Sequence, residues 1–219
     1  MPELPEVENV RRGLEKTVLD KPIKKVHWFR DDIRFPLPVQ EFEKMRDIQV
    51  QSVSRRAKYL LFNLGEDTMI NHLGMTGVWR WDELPNPDAH DHVALEFDDK
   101  TFLVYNDPRR FGFFDYTKTK GIESCKWLHH LGPEPLEDHF TAEYLYEITR
   151  GKKAPIKNFL MDQKNVVGVG NIYAAEALFL SGIKPQRLAH KISLEDCESL
   201  VESIREMQLL KKLKMSVVG

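Results

Sequence analysis

Tyr59-Leu60-Leu61-Phe62-Asn63-Leu64-Gly65-Glu66-Asp67-Thr68-Met69-Ile70-Asn71-His72-Leu73 is the stretch that decides how this chain folds. Two short runs rich in aromatic and aliphatic residues, Tyr59–Leu64 and Thr68–Leu73, flank the turn signal Gly65-Glu66-Asp67. That is the pattern of a β-hairpin. The same signature extends outward from Pro22 to about Lys118, with strands expected at Ile23–Phe29, Ile48–Val53, Val78–Trp81, His92–Phe97, Thr101–Tyr105 and Gly112–Tyr116. Asp98-Asp99-Lys100 supplies a second hairpin turn. Many short strands so spaced predict an antiparallel sandwich or barrel.

A helix precedes them. Pro5 suits an early helical position, Glu3 and Glu6 favour the positive end of the helix dipole, and Val7, Val10 and Leu14 recur at helical spacing. After Leu131-Gly132-Pro133-Glu134-Pro135 the pattern turns helical, over Thr141–Arg150, Pro155–Gln163, Ile172–Ser181 and Leu194–Leu213. Thr141 and Ser193 are expected N-caps, the latter followed three residues on by Asp196. The fold class is therefore α+β. An N-terminal helix plus an antiparallel β-sandwich domain occupies residues 1–130, and a small helical domain occupies residues 131–219.

The chain has 219 residues, 42% hydrophobic and 30% charged, a globular balance that excludes wholesale disorder. Two cysteines, Cys125 and Cys197, make neither a disulfide framework nor a four-cysteine zinc site. No apolar run reaches the roughly 18–20 residues of a membrane span, and MPELPEVENVRR is too acidic for a secretory signal. A soluble cytosolic protein is expected. The formal charge of −2 gives no global sign of a polyanionic partner. Basic residues are nevertheless clustered at Arg55-Arg56-Ala57-Lys58, at Arg109-Arg110, and from Arg150 through Lys152, Lys153 and Lys157 to Lys164. Such clusters present a basic face to a polyanion, or they are ordinary solvated charges.

Five elements carry chemistry. Removal of Met1 would expose Pro2 as a secondary amine, and a terminal amine titrating near pH 8 is partly neutral and nucleophilic. Glu3 beside it is a carboxylate suited to shuttling protons. On their own, Pro2 and Glu3 read sooner as the acidic start of a helix. Lys58, entering an apolar strand, holds a phosphate or donates a proton, or else snorkels at a strand end. Asn71-His72-Leu73-Gly74-Met75-Thr76-Gly77 is a tight turn with an apolar tip, and Asp107-Pro108-Arg109-Arg110-Phe111-Gly112 a loop joining cation to aromatic. Side chains of these kinds fill the gap left by an extruded base, unless Met75 and Phe111 belong to the core. Asn165-Val166-Val167-Gly168-Val169-Gly170-Asn171 links two helices in a helix-turn-helix arrangement. Its glycines allow a phosphate to approach and the next helix offers free N–H groups, or it is a plain tight turn.

In this combination and order the elements resemble the formamidopyrimidine-DNA glycosylase family of bacterial base-excision repair enzymes. The likeness rests on Pro2-Glu3-Leu4-Pro5-Glu6-Val7-Glu8, Arg55–Leu61, His72–Gly77, His90-Asp91-His92-Val93, Asp107–Gly112, Leu131–Leu136 and Lys157 through Ala174, and it runs from residue 2 to about residue 206. Leu4 matches this branch, where the related endonuclease VIII branch typically carries glycine. The resemblance implies a β-sandwich and a helix-two-turn-helix domain, with duplex DNA containing damaged purines bound between them. It implies removal of 8-oxoguanine and formamidopyrimidines, then strand cleavage at the abasic site by β/δ-elimination. Pro2 would be the nucleophile, forming an iminium with C1′, and Glu3 the general acid/base. Lys58 would support catalysis and hold a phosphate. Met75, Arg109 and Phe111 would fill the stack, and His90, Arg109, Lys153, Lys157 and Asn171 would contact DNA. The protein would act as a monomer on DNA in the bacterial cytoplasm, at the nucleoid.

The family usually continues into a four-cysteine zinc finger that supplies a phosphate-contacting arginine. This chain ends at Leu209-Leu210-Lys211-Lys212-Leu213-Lys214-Met215-Ser216-Val217-Val218-Gly219 without a C-x-x-C pair, and Cys125 and Cys197 lie outside the expected finger. No metal and no other cofactor is expected in this chain. The alternative to an active glycosylase/AP lyase is a catalytically impaired remnant that binds lesions or abasic sites.

Overall fold

The structure, a computed structural model, describes residues 2–19, 21–82 and 88–216, with side chains up to residue 209. It comprises two compact units, Glu6–Cys125 with Pro2, and residues 126–216 with Glu3–Pro5. The fold class is α+β.

In the first unit, helix α1 (Leu4–Val18) places Val7, Leu14 and Val18 on one buried face. Its other face carries Glu8, Arg11, Arg12 and Glu15, joined by ion pairs at helical spacing. Among the described residues nine strands follow: β1 (Pro22–Trp28), β2 (Ile48–Gln49), β3 (Ser52–Arg56), β4 (Tyr59–Asn63), β5 (Asp67–His72), β6 (Val78–Asp82), β7 (Asp91–Phe97), β8 (Phe102–Asn106) and β9 (Phe113–Lys118). They form two antiparallel sheets, ordered β2-β1-β7-β8-β6 and β3-β4-β5-β9. Inward side chains of both sheets, among them Ile23, Val26, Leu95 and Leu103 from one and Val53, Leu60, Phe62 and Met69 from the other, share one core with α1. That is a sandwich. A short helix, α2 (Val39–Glu43), was not expected. It buries Phe42 edge-on against Phe114, ring centroids 5.8 Å apart.

The hairpin read from residues 59–73 closes as its turn chemistry requires. Leu64 N–H donates to the Asp67 carbonyl, and Gly65 supplies φ +99°. The segment 48–53, expected as one strand, is instead two, in different sheets. Val50 and Val53 are both buried but stand three apart, so no single strand with period two keeps them on one face. The chain changes sheet between them.

The second unit holds α3 (Ala142–Thr149), α4 (Ile156–Met161), α5 (Asn171–Leu180) and α6 (Leu194–Ser216) around its own core, in which Leu145, Leu160, Tyr173, Leu178 and Leu200 are buried. Both expected caps form. The Thr141 hydroxyl accepts the Tyr144 N–H at 3.1 Å. Ser193 and Asp196 cap each other reciprocally, at 2.8 and 3.0 Å. Among the described residues no helix is long and apolar enough to cross a membrane.

Candidate active site and nucleic-acid-binding residues

In the second unit the site is built around Glu3. This side chain is buried, 6% exposed. Its Oε1 accepts the N–H of Ile172 at 3.2 Å and its Oε2 that of Tyr173 at 3.3 Å. Those N–H groups lie in the first turn of α5, where a helix has no internal partners for them and where its dipole favours an anion. The glycine-rich turn makes the seat. A Cβ on Gly170 would stand 2.5 Å from Glu3 Oε1, and one on Gly168 would stand 2.1 Å from Leu4 Cδ1. Gly168 also has φ +75°. These two glycines make room for Glu3 and Leu4.

Hydrogen bonds from a distant segment hold the turn. Val167 N–H donates to the Pro133 carbonyl and Gly132 N–H to that of Gln163, while within the turn itself Gly168 N–H donates to Gln163 Oε1. Asn171 opens α5 with its side chain exposed, Lys157 is half-buried in the first turn of α4, and Lys153 is exposed just before it. This basic segment lies against residues 185–190. Ile156 N–H donates to the Arg187 carbonyl at 2.7 Å, and Ala189 N–H to that of Ala154 at 2.9 Å.

In the first unit, Lys58 is buried in the two-residue turn between β3 and β4. Its predecessor Ala57 is left-handed, φ +50°, a strained conformation for a residue with a Cβ. Arg55 braces that turn, donating from Nη1 to the Ala57 carbonyl at 2.8 Å and from Nε to Glu8 at 3.1 Å. Burial alone would raise Glu8, but the hydrogen bonds and charges of Arg11 and Arg55 outweigh it and hold its carboxyl below the ordinary range. Beyond the turn, His72 stacks on Phe113 and is pushed down to about 4, by burial first and then by the charges of Lys58 and Arg34. Its Nδ1 accepts the Gly74 N–H at 3.0 Å, so the ring is neutral with its proton on Nε2. Pro2 is half-buried.

Met75, Arg109 and Phe111 are brought together. The Arg109 guanidinium lies over the Phe111 ring, 4.6 Å from its centroid. Met75 and Phe111 are 37% and 42% exposed, which sets both outside the core. Their loops meet backbone to backbone, for a Cβ on Gly74 would stand 2.3 Å from Gly112 N. Gly77 and Gly112 both abut the Tyr105 hydroxyl, at 2.2 and 1.8 Å from where a Cβ would lie. His90 is exposed, and its carbonyl accepts the Asp107 N–H at 2.9 Å. Its neighbour Asp91 is buried in a bidentate pair with Arg80, at 2.6 and 2.8 Å, and also accepts from Asn106 and the Asp88 N–H. Those donors overcome the burial that would raise Asp91 and keep it ionised.

Asp107 and Thr76 had no role assigned from sequence, although both stand in the quoted loops. Asp107 is fully buried and accepts from Thr76 and Gly112. An acid before proline in a loop of cations was its only sequence signal. Cys125 is half-buried and Cys197 buried, and among the described residues no group of three or more His, Cys, Asp or Glu is arranged to hold a metal ion.

Comparison with known proteins matches this architecture unit by unit. The formamidopyrimidine-DNA glycosylase N-terminal domain matches residues 1–114, and the formamidopyrimidine-DNA glycosylase H2TH domain matches residues 131–216. The chain is 49% identical over 208 residues to the formamidopyrimidine-DNA glycosylase of Bdellovibrio bacteriovorus, covering 94% of this chain and 76% of that protein. It is 48% identical over 211 residues to an Escherichia coli formamidopyrimidine-DNA glycosylase, covering 95% and 77%. Among solved structures, Lactococcus lactis Fpg in complex with DNA containing an abasic site superposes with a TM-score of 0.90 at 32% identity, over 97% of this chain and 79% of that one. A G226P variant of the same enzyme, in complex with DNA containing Fapy-dG, also gives a TM-score of 0.90, at 33% identity and with the same coverage. The chain belongs to the formamidopyrimidine-DNA glycosylase family.

Proposed function

We propose that this protein is a bifunctional DNA glycosylase/AP lyase of base-excision repair, acting on 8-oxoguanine and formamidopyrimidines in duplex DNA. The observation that carries the reading is the Glu3 carboxylate, buried and fixed on the N-terminus of α5, one residue from Pro2 in the chain. A carboxylate held at that position serves as a general acid/base for chemistry at the neighbouring amine. Once Met1 is removed, the Pro2 nitrogen bonds to C1′ of the damaged nucleotide. The glycosidic bond breaks, its electron pair leaves with the base, and a proton replaces it there. The amine gives up its proton, O4′ takes one as the C1′–O4′ bond breaks and the sugar ring opens, and the iminium so formed acidifies C2′–H. Loss of that proton expels the 3′ phosphate, and a second elimination expels the 5′ phosphate. Lys58 holds a phosphate beside the lesion, and Met75, Arg109 and Phe111 occupy the space of the everted base. His90, Lys153, Lys157 and Asn171 contact the DNA.

Borohydride trapping on duplex DNA with a single 8-oxoguanine tests the reading. The expected result is a covalent protein–DNA adduct that is lost in Pro2→Gly. Glu3→Gln should retain binding and lose base release. Binding without base release or an adduct from the unaltered protein would instead establish a lesion-binding protein without turnover.

A further inference from the structure

Filling the space of an everted base requires Met75, from one loop, and Arg109 and Phe111, from another, to arrive as one body. We infer that Thr76 and Asp107 are the positioning residues that lock these two loops together, an inference that rests on the glycosylase reading above. Asp107 is 0% exposed, so it acts only through its neighbours. Its Oδ1 accepts the Thr76 hydroxyl at 2.5 Å and its Oδ2 the Gly112 N–H at 2.8 Å, with the Tyr105 hydroxyl at 3.5 Å. Thr76 Oγ1 in turn accepts the Arg109 N–H at 3.2 Å. The residue after Met75 is thereby tied both to the backbone of Arg109 and to the carboxylate that anchors the residue after Phe111. A hydroxyl has one hydrogen and lone pairs to spare, so it serves Asp107 and Arg109 at once. Valine has the same shape and serves neither.

The remaining partners of Asp107 explain why the lock is rigid. Its carbonyl lies 2.8 Å from the buried His92 ring nitrogen, and its N–H donates to the His90 carbonyl. Both loops are thus referred to β7 and its approach rather than to each other alone. Two exposed apolar tips held in advance lose less freedom on entering a base stack than tips on independent loops.

The test compares Thr76→Val and Thr76→Ser with the unaltered protein on two duplexes, one with 8-oxoguanine and one with a preformed abasic site, which has no base to evert. Thr76→Val should form the borohydride-trapped adduct about tenfold more slowly on 8-oxoguanine and within about twofold of normal on the abasic duplex. Thr76→Ser, which keeps the hydroxyl, should restore the rate on 8-oxoguanine. Equal losses on both duplexes, or no loss on either, overturn the inference. Failure of the unaltered protein to be trapped on either duplex sinks the glycosylase reading instead. Amide exchange in the free protein then decides: the Arg109 amide should exchange about tenfold faster in Thr76→Val, and unchanged exchange overturns the lock.

Discussion

A methyl group on Gly170 would stand 2.5 Å from Oε1 of Glu3 and 2.6 Å from its carboxyl carbon. The backbone of Gly170 is extended, with φ −104°, so alanine is conformationally ordinary there. What must yield is the far end of the Glu3 side chain. Gly170→Ala should therefore melt within a few degrees of the unaltered protein, yet release damaged base about 100-fold more slowly, the contribution expected of a positioned acid/base. Single-turnover base release beside a thermal melt checks this. A normal rate would mean that the seat of Glu3 on α5 is irrelevant to the reaction.

Gly168→Ala should behave in the opposite way. Here φ is +75°, and the added carbon would meet Leu4 at 2.1 Å from Cδ1 and 2.6 Å from Cβ, close to the backbone of a buried residue. The left-handed conformation and the overlap together should cost about 3 kcal/mol. Urea unfolding measures it, and a loss below about 1 kcal/mol would show that Leu4 repacks freely.

His72 makes stability depend on pH. Folded, it is pushed down to about 4, by burial first and then by the charges of Lys58 and Arg34. Unfolded, it takes a proton near pH 6.5. Its contribution to stability is complete above about pH 6.5 and is lost as the pH falls toward 4, where the folded ring protonates too. The whole interval amounts to about 3 kcal/mol. His72→Asn keeps a side-chain acceptor for the Gly74 N–H and cannot titrate, so its unfolding midpoint should fall less steeply across that window. Parallel pH profiles for the two proteins would assign the loss to other groups.

These residues also mark where the sequence was legible. The hairpin turn from Leu64 to Asp67 and the caps at Thr141 and Ser193 are local devices, whose donors and acceptors lie within four residues of one another, so pattern alone revealed them. The change of sheet at Val50 was also written locally, as an alternation broken by one residue. The glycines at 168 and 170 could be noticed but not explained, because the side chains that need their space, Leu4 and Glu3, come from the other end of the chain. Asp107 is similar: the motif exposes the acid, while its burial against Thr76 and Tyr105 exists only once β8 and the Met75 loop are packed. Charge clusters were the least faithful signal. Arg55 and Arg150 counted as basic surface, yet Arg55 is directed at Glu8 and Arg150 at backbone carbonyls.

That last distinction can be measured. Arg150 and Lys153 are both exposed and Lys157 is half-buried, but the Arg150 guanidinium lies 3.9 Å from the Tyr146 ring centroid and donates to the Ile192 carbonyl at 2.7 Å. Each phosphate contact releases counterions, and its loss lowers the slope of log K against log salt by about 0.9. Lys153→Ala and Lys157→Ala should each show that change, weakening lesion-containing and undamaged duplex alike. Arg150→Ala should leave the slope unaltered and lower folding stability by about 1–2 kcal/mol, through the lost stacking and hydrogen bonds. Fluorescence anisotropy at a series of KCl concentrations, beside urea unfolding, separates the two classes. A slope that falls in Arg150→Ala as it does in Lys157→Ala would place Arg150 on the phosphate backbone despite its internal partners.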